Sequence, residues 1–176
     1  EIFDVKTLFK RIGKELTTSV QQMQYIAETL CLPQPAELRL ETSGMFRKSA
    51  KTGQDPRMLM TWKLLAELKA KEQKVEQPFS PERRNEVTGA LARTLHDNRS
   101  TVHTVKELLA AEGIAFCIEE KVDKASVDGY SFIEDGTPHI ILTRRYDRID
   151  NFAFALMHEI GHIYLHYLDG SRSDCK

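Results

Sequence analysis

The residues best placed to do chemistry lie late in the chain, at His158, Glu159 and His162, the HExxH pattern within His158-Glu159-Ile160-Gly161-His162. On a helix, positions i and i+4 differ by about 40° and sit one turn apart. Two imidazoles so placed converge on one ion at about 2.0–2.1 Å per nitrogen, which suits Zn²⁺. Glu159 lies about 100° round from His158, where it flanks the ion and accepts a proton from metal-bound water. The expected chemistry is hydrolysis of a peptide bond, with Glu159 as general base and later as proton donor to the leaving amine. His166 continues the row, but at about 12 Å along the axis it is out of reach of the same ion and reads as a supporting or solvent-edge histidine. A catalytic zinc ordinarily has a third protein ligand. The acids after His162 are Asp169 and Asp174. Asp169 is neither chosen nor excluded by its spacing, and the third ligand is expected beyond Lys176 or the site is incomplete. Gly161, inside the helix, costs about 1 kcal/mol against Ala. Either a close approach of backbone or metal shell requires it, or the helix simply tolerates it.

The elements that must position these residues follow from periodicity. Phe152, Ala155, Leu156, Ile160, Ile163 and Tyr164 give the last helix its apolar faces, from about Asp147 or Asp150 to Leu168, ended by Asp169-Gly170. Before it, 114–118, 127–133 and 139–143 read as strands, the last two joined by a hairpin at Glu134-Asp135-Gly136-Thr137. Upstream everything is helical. Val5 to Leu16 and Val20 to Leu30 form a pair separated by Thr17-Thr18-Ser19. Asp55-Pro56 caps a third helix, whose stripe is Met58, Leu59, Trp62, Leu65 and Leu68. Ser80-Pro81 opens a helix with Val87, Leu91 and Leu95, and Thr101 begins another that ends at Gly113. A polar run from Lys69 to Gln77 sets a boundary near residue 77. The expected division is a helical region, 1–77, and a peptidase domain, 78–176, that continues past Lys176.

The chain resembles the ImmA/IrrE family of metallo-endopeptidases, in the branch found behind helix-turn-helix regulators and HigA-like antitoxins. The residues that carry the resemblance are Asp128-Gly129-Tyr130-Ser131-Phe132, Pro138-His139-Ile140-Ile141-Leu142-Thr143, and the run from Arg145 through Asn151-Phe152 into His158-Glu159-Ile160-Gly161-His162-Ile163-Tyr164-Leu165-His166. Met45-Phe46-Arg47-Lys48-Ser49 and Trp62 are similar to the helical approach of that branch. The resemblance spans about residues 45–170. It implies an α+β, zincin-like fold in which a small three-stranded sheet is packed by helices and the HExxH helix follows the last strand. It implies that His158 and His162 bind zinc, that Glu159 is the general base, and that the third ligand comes from an acidic residue on a later helix. It implies a protein substrate, a DNA-bound repressor or a toxin–antitoxin partner. The competing expectation is a non-catalytic DNA- or toxin-binding regulator that keeps the peptidase fold as scaffold.

Composition narrows the partners. With 25 basic and 26 acidic residues the net charge is −1, so the whole molecule is no polyanion binder. Residues 39–74 nevertheless hold nine Lys or Arg against four acids, and Arg47, Lys48, Lys51, Arg57 and Lys63 could meet phosphates. A solvated face is the competing reading. No apolar run of about 18 residues spans a membrane, and the N-terminus lacks a signal pattern. Cys31, Cys117 and Cys175 are too widely spaced for a metal knuckle or a disulfide framework. A cytoplasmic location with reduced thiols is therefore expected, Cys117 being a small buried side chain. Arg144, Arg145 and Arg148 are expected either to hold a peptide carboxylate or to lie in a solvated loop capped by Asp147 or Asp150. Tyr130 and Ser131 are weighed as hydrogen-bond donors to an oxyanion.

Overall fold

A computed structural model describes residues 3–29, 55–99, 101–144 and 148–169. Among them are six α-helices and a three-stranded mixed sheet, an α+β chain. By contacts the chain divides into two compact units, one holding Glu1–Leu68 and Lys121–Val127, the other Lys69–Glu120 and Asp128–Cys175.

The first unit contains α1 (Val5–Ile12), α2 (Ser19–Thr29) and most of α3 (Pro56–Lys71). Asp4 caps α1, its carboxylate accepting from the Thr7 amide at 3.2 Å. The helix stops at Gly13, at φ 65°, so Leu16 falls outside it, contrary to the periodicity. A glycine able to take the left-handed conformation ends the helix before the apolar repeat runs out. Thr18 accepts from the Gln21 amide at 3.3 Å and opens α2. Asp55 accepts from the Arg57 amide at 3.0 Å and Pro56 takes the first position of α3, as their order predicts. The expected one-sided stripe on α3 is wider than the pattern implies: Met60, Thr61, Trp62, Leu64, Leu65 and Ala66 are all buried. Buried Thr61 is satisfied twice, donating to the Arg57 carbonyl at 2.7 Å and accepting from the Asp4 amide at 2.8 Å. The segment Lys121–Val127 joins this unit through a bond from the Asp55 amide to the Lys124 carbonyl at 3.2 Å.

The second unit positions the histidines. A 3₁₀ turn, Pro81–Arg83, leads into α4 (Arg84–Asp97), which ends with Asn98 in the left-handed region, and α5 (Thr101–Ala111) follows. Strands β1 (Ala115–Glu120), β2 (Gly129–Glu134) and β3 (Thr137–Arg144) assemble in the order β1-β3-β2. β1 runs parallel to β3, pairing Cys117 with Ile141, and β2 runs antiparallel, pairing Ser131 with Ile140. Asp135 and Gly136, at φ 49° and 76°, form the two-residue turn between β2 and β3, the geometry that matches the twist of paired strands. As the central strand, β3 buries the continuous run Pro138 to Leu142, as a strand covered on both faces must. Helix α6 (Ile149–Asp169) then packs on β2 and β3. Its Leu156 and Ile160 join Leu91, Leu109, Ile114 and Ile140 in one apolar core.

Candidate metal centre

Helix α6 holds His158, Glu159 and His162 on consecutive turns, and the helical spacing does what it predicts for the two rings. The Nε2 atoms of His158 and His162 lie 3.0 Å apart, with the ring centroids 4.5 Å apart and the planes perpendicular. At that distance two neutral imidazoles share an N–H···N hydrogen bond when one ring carries its proton on Nε2 and the other on Nδ1, and a cation held by both rings would take the place of that proton. Ligands bound to tetrahedral zinc at about 2.1 Å sit about 3.4 Å apart. Opening the pair by a few tenths of an ångström, within ordinary rotamer breathing, fits it to that ion. His158 is exposed and His162 half-buried, so the pair is reachable from solvent.

Glu159, the residue next to His158, packs against Gly129 of the sheet and is 6% exposed. Burying a carboxylate is costly unless it is hydrogen-bonded. Ser131, 2% exposed on β2, supplies the bond: its Oγ donates to Glu159 Oε2 at 2.6 Å, the short distance of a charge-assisted contact. Gly129 clears the space, because a Cβ there would stand 2.9 Å from both Cγ and Oε1 of Glu159. The Ser131 hydroxyl, a candidate oxyanion donor by residue type, is instead committed to the carboxylate. Tyr130, the other candidate, stacks on Phe132 with centroids 5.5 Å apart. The roles of Gly129 and Ser131 escaped the sequence reading. Their signal was two small residues at i and i+2, one face of a strand, opposite a helix that turns a carboxylate inward.

Other expectations resolve individually. Nothing among the described residues lies within 4 Å of a Cβ added at Gly161, so no described neighbour requires a glycine there. Arg148 pairs with Asp150 through two bonds of 3.1 and 2.7 Å, and Arg144 meets Glu120 at 3.3 Å. Asp150 sits inside the first turn of α6, so it favours the helix dipole and is not the N-cap. Arg57 pairs with Asp55 and Lys63 with Glu67, while Arg47, Lys48, Lys51, Arg145 and Asp147 lie outside the described residues. So do Cys31, Asp174 and Cys175. His166 and Asp169 fall within α6, and their side chains lie outside the description. Cys117 is buried, and burial pushes its thiol up to about 11, which makes it an inert core residue. Among the described residues no three His, Cys, Asp or Glu side chains group to hold a metal. No helix of the described residues is long and apolar enough to cross a membrane.

Phe154 is a site neighbour that the sequence reading passed over. It is 77% exposed, with its ring stacked on that of His158 at 6.1 Å. Comparison of the chain with family models, with curated proteins and with solved structures finds no match.

Proposed function

We propose that this chain is a zinc-dependent endopeptidase of the zincin kind, similar to the ImmA/IrrE enzymes, acting on a partner protein. The observation that carries the reading is the 3.0 Å approach of two imidazole nitrogens one turn apart, beside a buried glutamate whose carboxylate is oriented by a serine. His158 and His162 would hold the zinc through Nε2. A bound zinc supplies Lewis acidity, which acidifies water and polarises a carbonyl. Glu159 takes up a proton on its carboxylate and returns it to the leaving amine. Ser131 fixes which way that carboxylate points, since its hydroxyl binds one oxygen and leaves the other to work.

Metal analysis of the full chain tests the reading, with an expected content of about one zinc per molecule. His158→Ala and His162→Ala should each abolish zinc retention. Cleavage of a diverse peptide library should disappear in Glu159→Gln while zinc is kept. A wild-type protein that retains no zinc, or a Glu159→Gln variant that cleaves as well as the parent, rejects the proposal.

A further inference from the structure

The second unit contains a cleft of about 800 Å³, within the roughly 300–1,000 Å³ of ordinary ligand sites. Its walls come from the N-terminal ends of α5 and α6 and the C-terminal ends of β1 and β3. Along α6 the lining residues include Asn151, Phe152 and Ala155. At about 100° per residue these fall on the same face as His158, Glu159 and His162, one to two turns earlier. Leu142 makes the connection physical. It lines the cleft, and its Cδ2 is also 3.0 Å from where a Gly129 Cβ would stand, beside Glu159.

Two large apolar side chains remain in solvent on separate walls of this cleft, Val102 at 46% and Phe154 at 77% exposure. Single exposed apolar residues are ordinary. Here, however, they share one concavity with Ile118, Leu142 and Phe152. The cations lining it are already matched: Lys69 meets Glu119 at 3.3 Å, Arg144 meets Glu120 at 3.3 Å, and Arg148 meets Asp150 at 2.7 Å. With those cations engaged, the remaining lining joins the apolar walls to polar groups at Asn98, Thr101, Asp128 and Thr143.

We propose that this cleft is the specificity subsite of the histidine centre, and that it takes an aromatic or long aliphatic side chain of a polypeptide bound beside the scissile bond. The inference rests on the zinc reading above and adds the substrate class. The chemistry is apolar burial between Val102, Phe154 and the floor at Leu142 and Phe152, with the peptide backbone running along α6 toward the histidines.

The test separates the two layers by binding. Zinc-loaded full-length protein is titrated calorimetrically with acetohydroxamate, a metal chelator with no side chain, and with 3-phenylpropanehydroxamate, which carries an aromatic arm. The aromatic arm should tighten binding about tenfold or more. Val102→Asp and Phe154→Ser alter exposed positions, so both should fold, and each should bring the affinity ratio of the two probes close to one. Equal affinities in the parent, or an unchanged ratio in both variants, overturns the subsite while leaving the metal centre standing. Failure of both probes to bind overturns the zinc reading and the subsite with it.

Discussion

At the scale of single residues, the most informative contact is the one between Ser131 and Glu159. A buried carboxylate left without its donor incurs its desolvation cost, about 1–3 kcal/mol. Ser131→Ala should therefore lower unfolding free energy by about 1–3 kcal/mol in urea titration. The same change made on a Glu159→Gln background should cost less, because an uncharged amide is cheaper to bury. Equal costs on both backgrounds would show that packing, and not the charge, is what Ser131 serves. His139 offers a second residue-level handle. It is buried at 6% exposure, stacked on Phe132 with centroids 4.7 Å apart, and its Nδ1 has no hydrogen-bond partner among the described residues. Burial, with Lys71 nearby adding to it, holds its pKa below the usual 6.5 against the opposing pull of Glu134 and a backbone bond to Ala70. The unfolded chain thus binds a proton at a pH where the folded one does not. Stability from this group is complete above pH 6.5 and is lost as pH falls from there toward the lower folded pKa. His139→Gln should flatten that part of the stability–pH curve, as read from midpoints of denaturant unfolding between about pH 7 and 5.

At the scale of elements, most of the order of helices and strands was legible from the sequence. The hairpin at Asp135-Gly136, the start of α3 at Pro56 and the order of sheet then last helix all follow local signals, and all are present. These features depend on backbone chemistry that one or two residues decide. Features that depend on a neighbour from elsewhere in the chain were not legible. Nothing local announces that α3 is buried beyond its stripe, or that the β2 serine turns to a carboxylate 28 positions away. Glycines mark the difference well, since the same substitution has opposite outcomes at two of them. Gly113 ends the turn after α5 at φ 76°, and a Cβ there would stand 2.5 Å from the Phe79 amide nitrogen. That atom is backbone and cannot step aside, so Gly113→Ala should destabilise by about 3 kcal/mol or more. Gly161 has helical geometry and open space around it among the described residues. Gly161→Ala should stabilise by up to about 1 kcal/mol through helix propensity. Thermal melts of the two variants beside the parent check the pair. A destabilised Gly161→Ala protein would mean that this glycine is needed for close approach after all.

At the scale of the whole molecule, the question is what the fold owes to the metal it is proposed to hold. Small zinc domains fold only when the ion joins distant segments, because binding energy there is folding energy. This chain is built differently. Its two proposed ligands, His158 and His162, belong to one helix and close a loop of a single turn, so the ion removes little unfolded-state entropy through them. The core that holds α6 in place, Leu91, Leu109, Ile114, Ile140, Leu156 and Ile160, contains no metal-binding side chain and is complete without one. Glu159 is likewise anchored by a side chain of the sheet, Ser131, whose Oγ donates to its carboxylate. Zinc should therefore act as a ligand of an already folded protein, stabilising by mass action, about 2.7 kcal/mol at a free concentration one hundred times its dissociation constant. Stripping the metal with a chelator should leave the helical circular-dichroism signal intact and cooperative melting in place, with the midpoint lowered by no more than several degrees. Loss of the helical signal at room temperature on chelation would show the opposite, that the ion is a structural part of the core and that the fold cannot be derived from apolar burial alone.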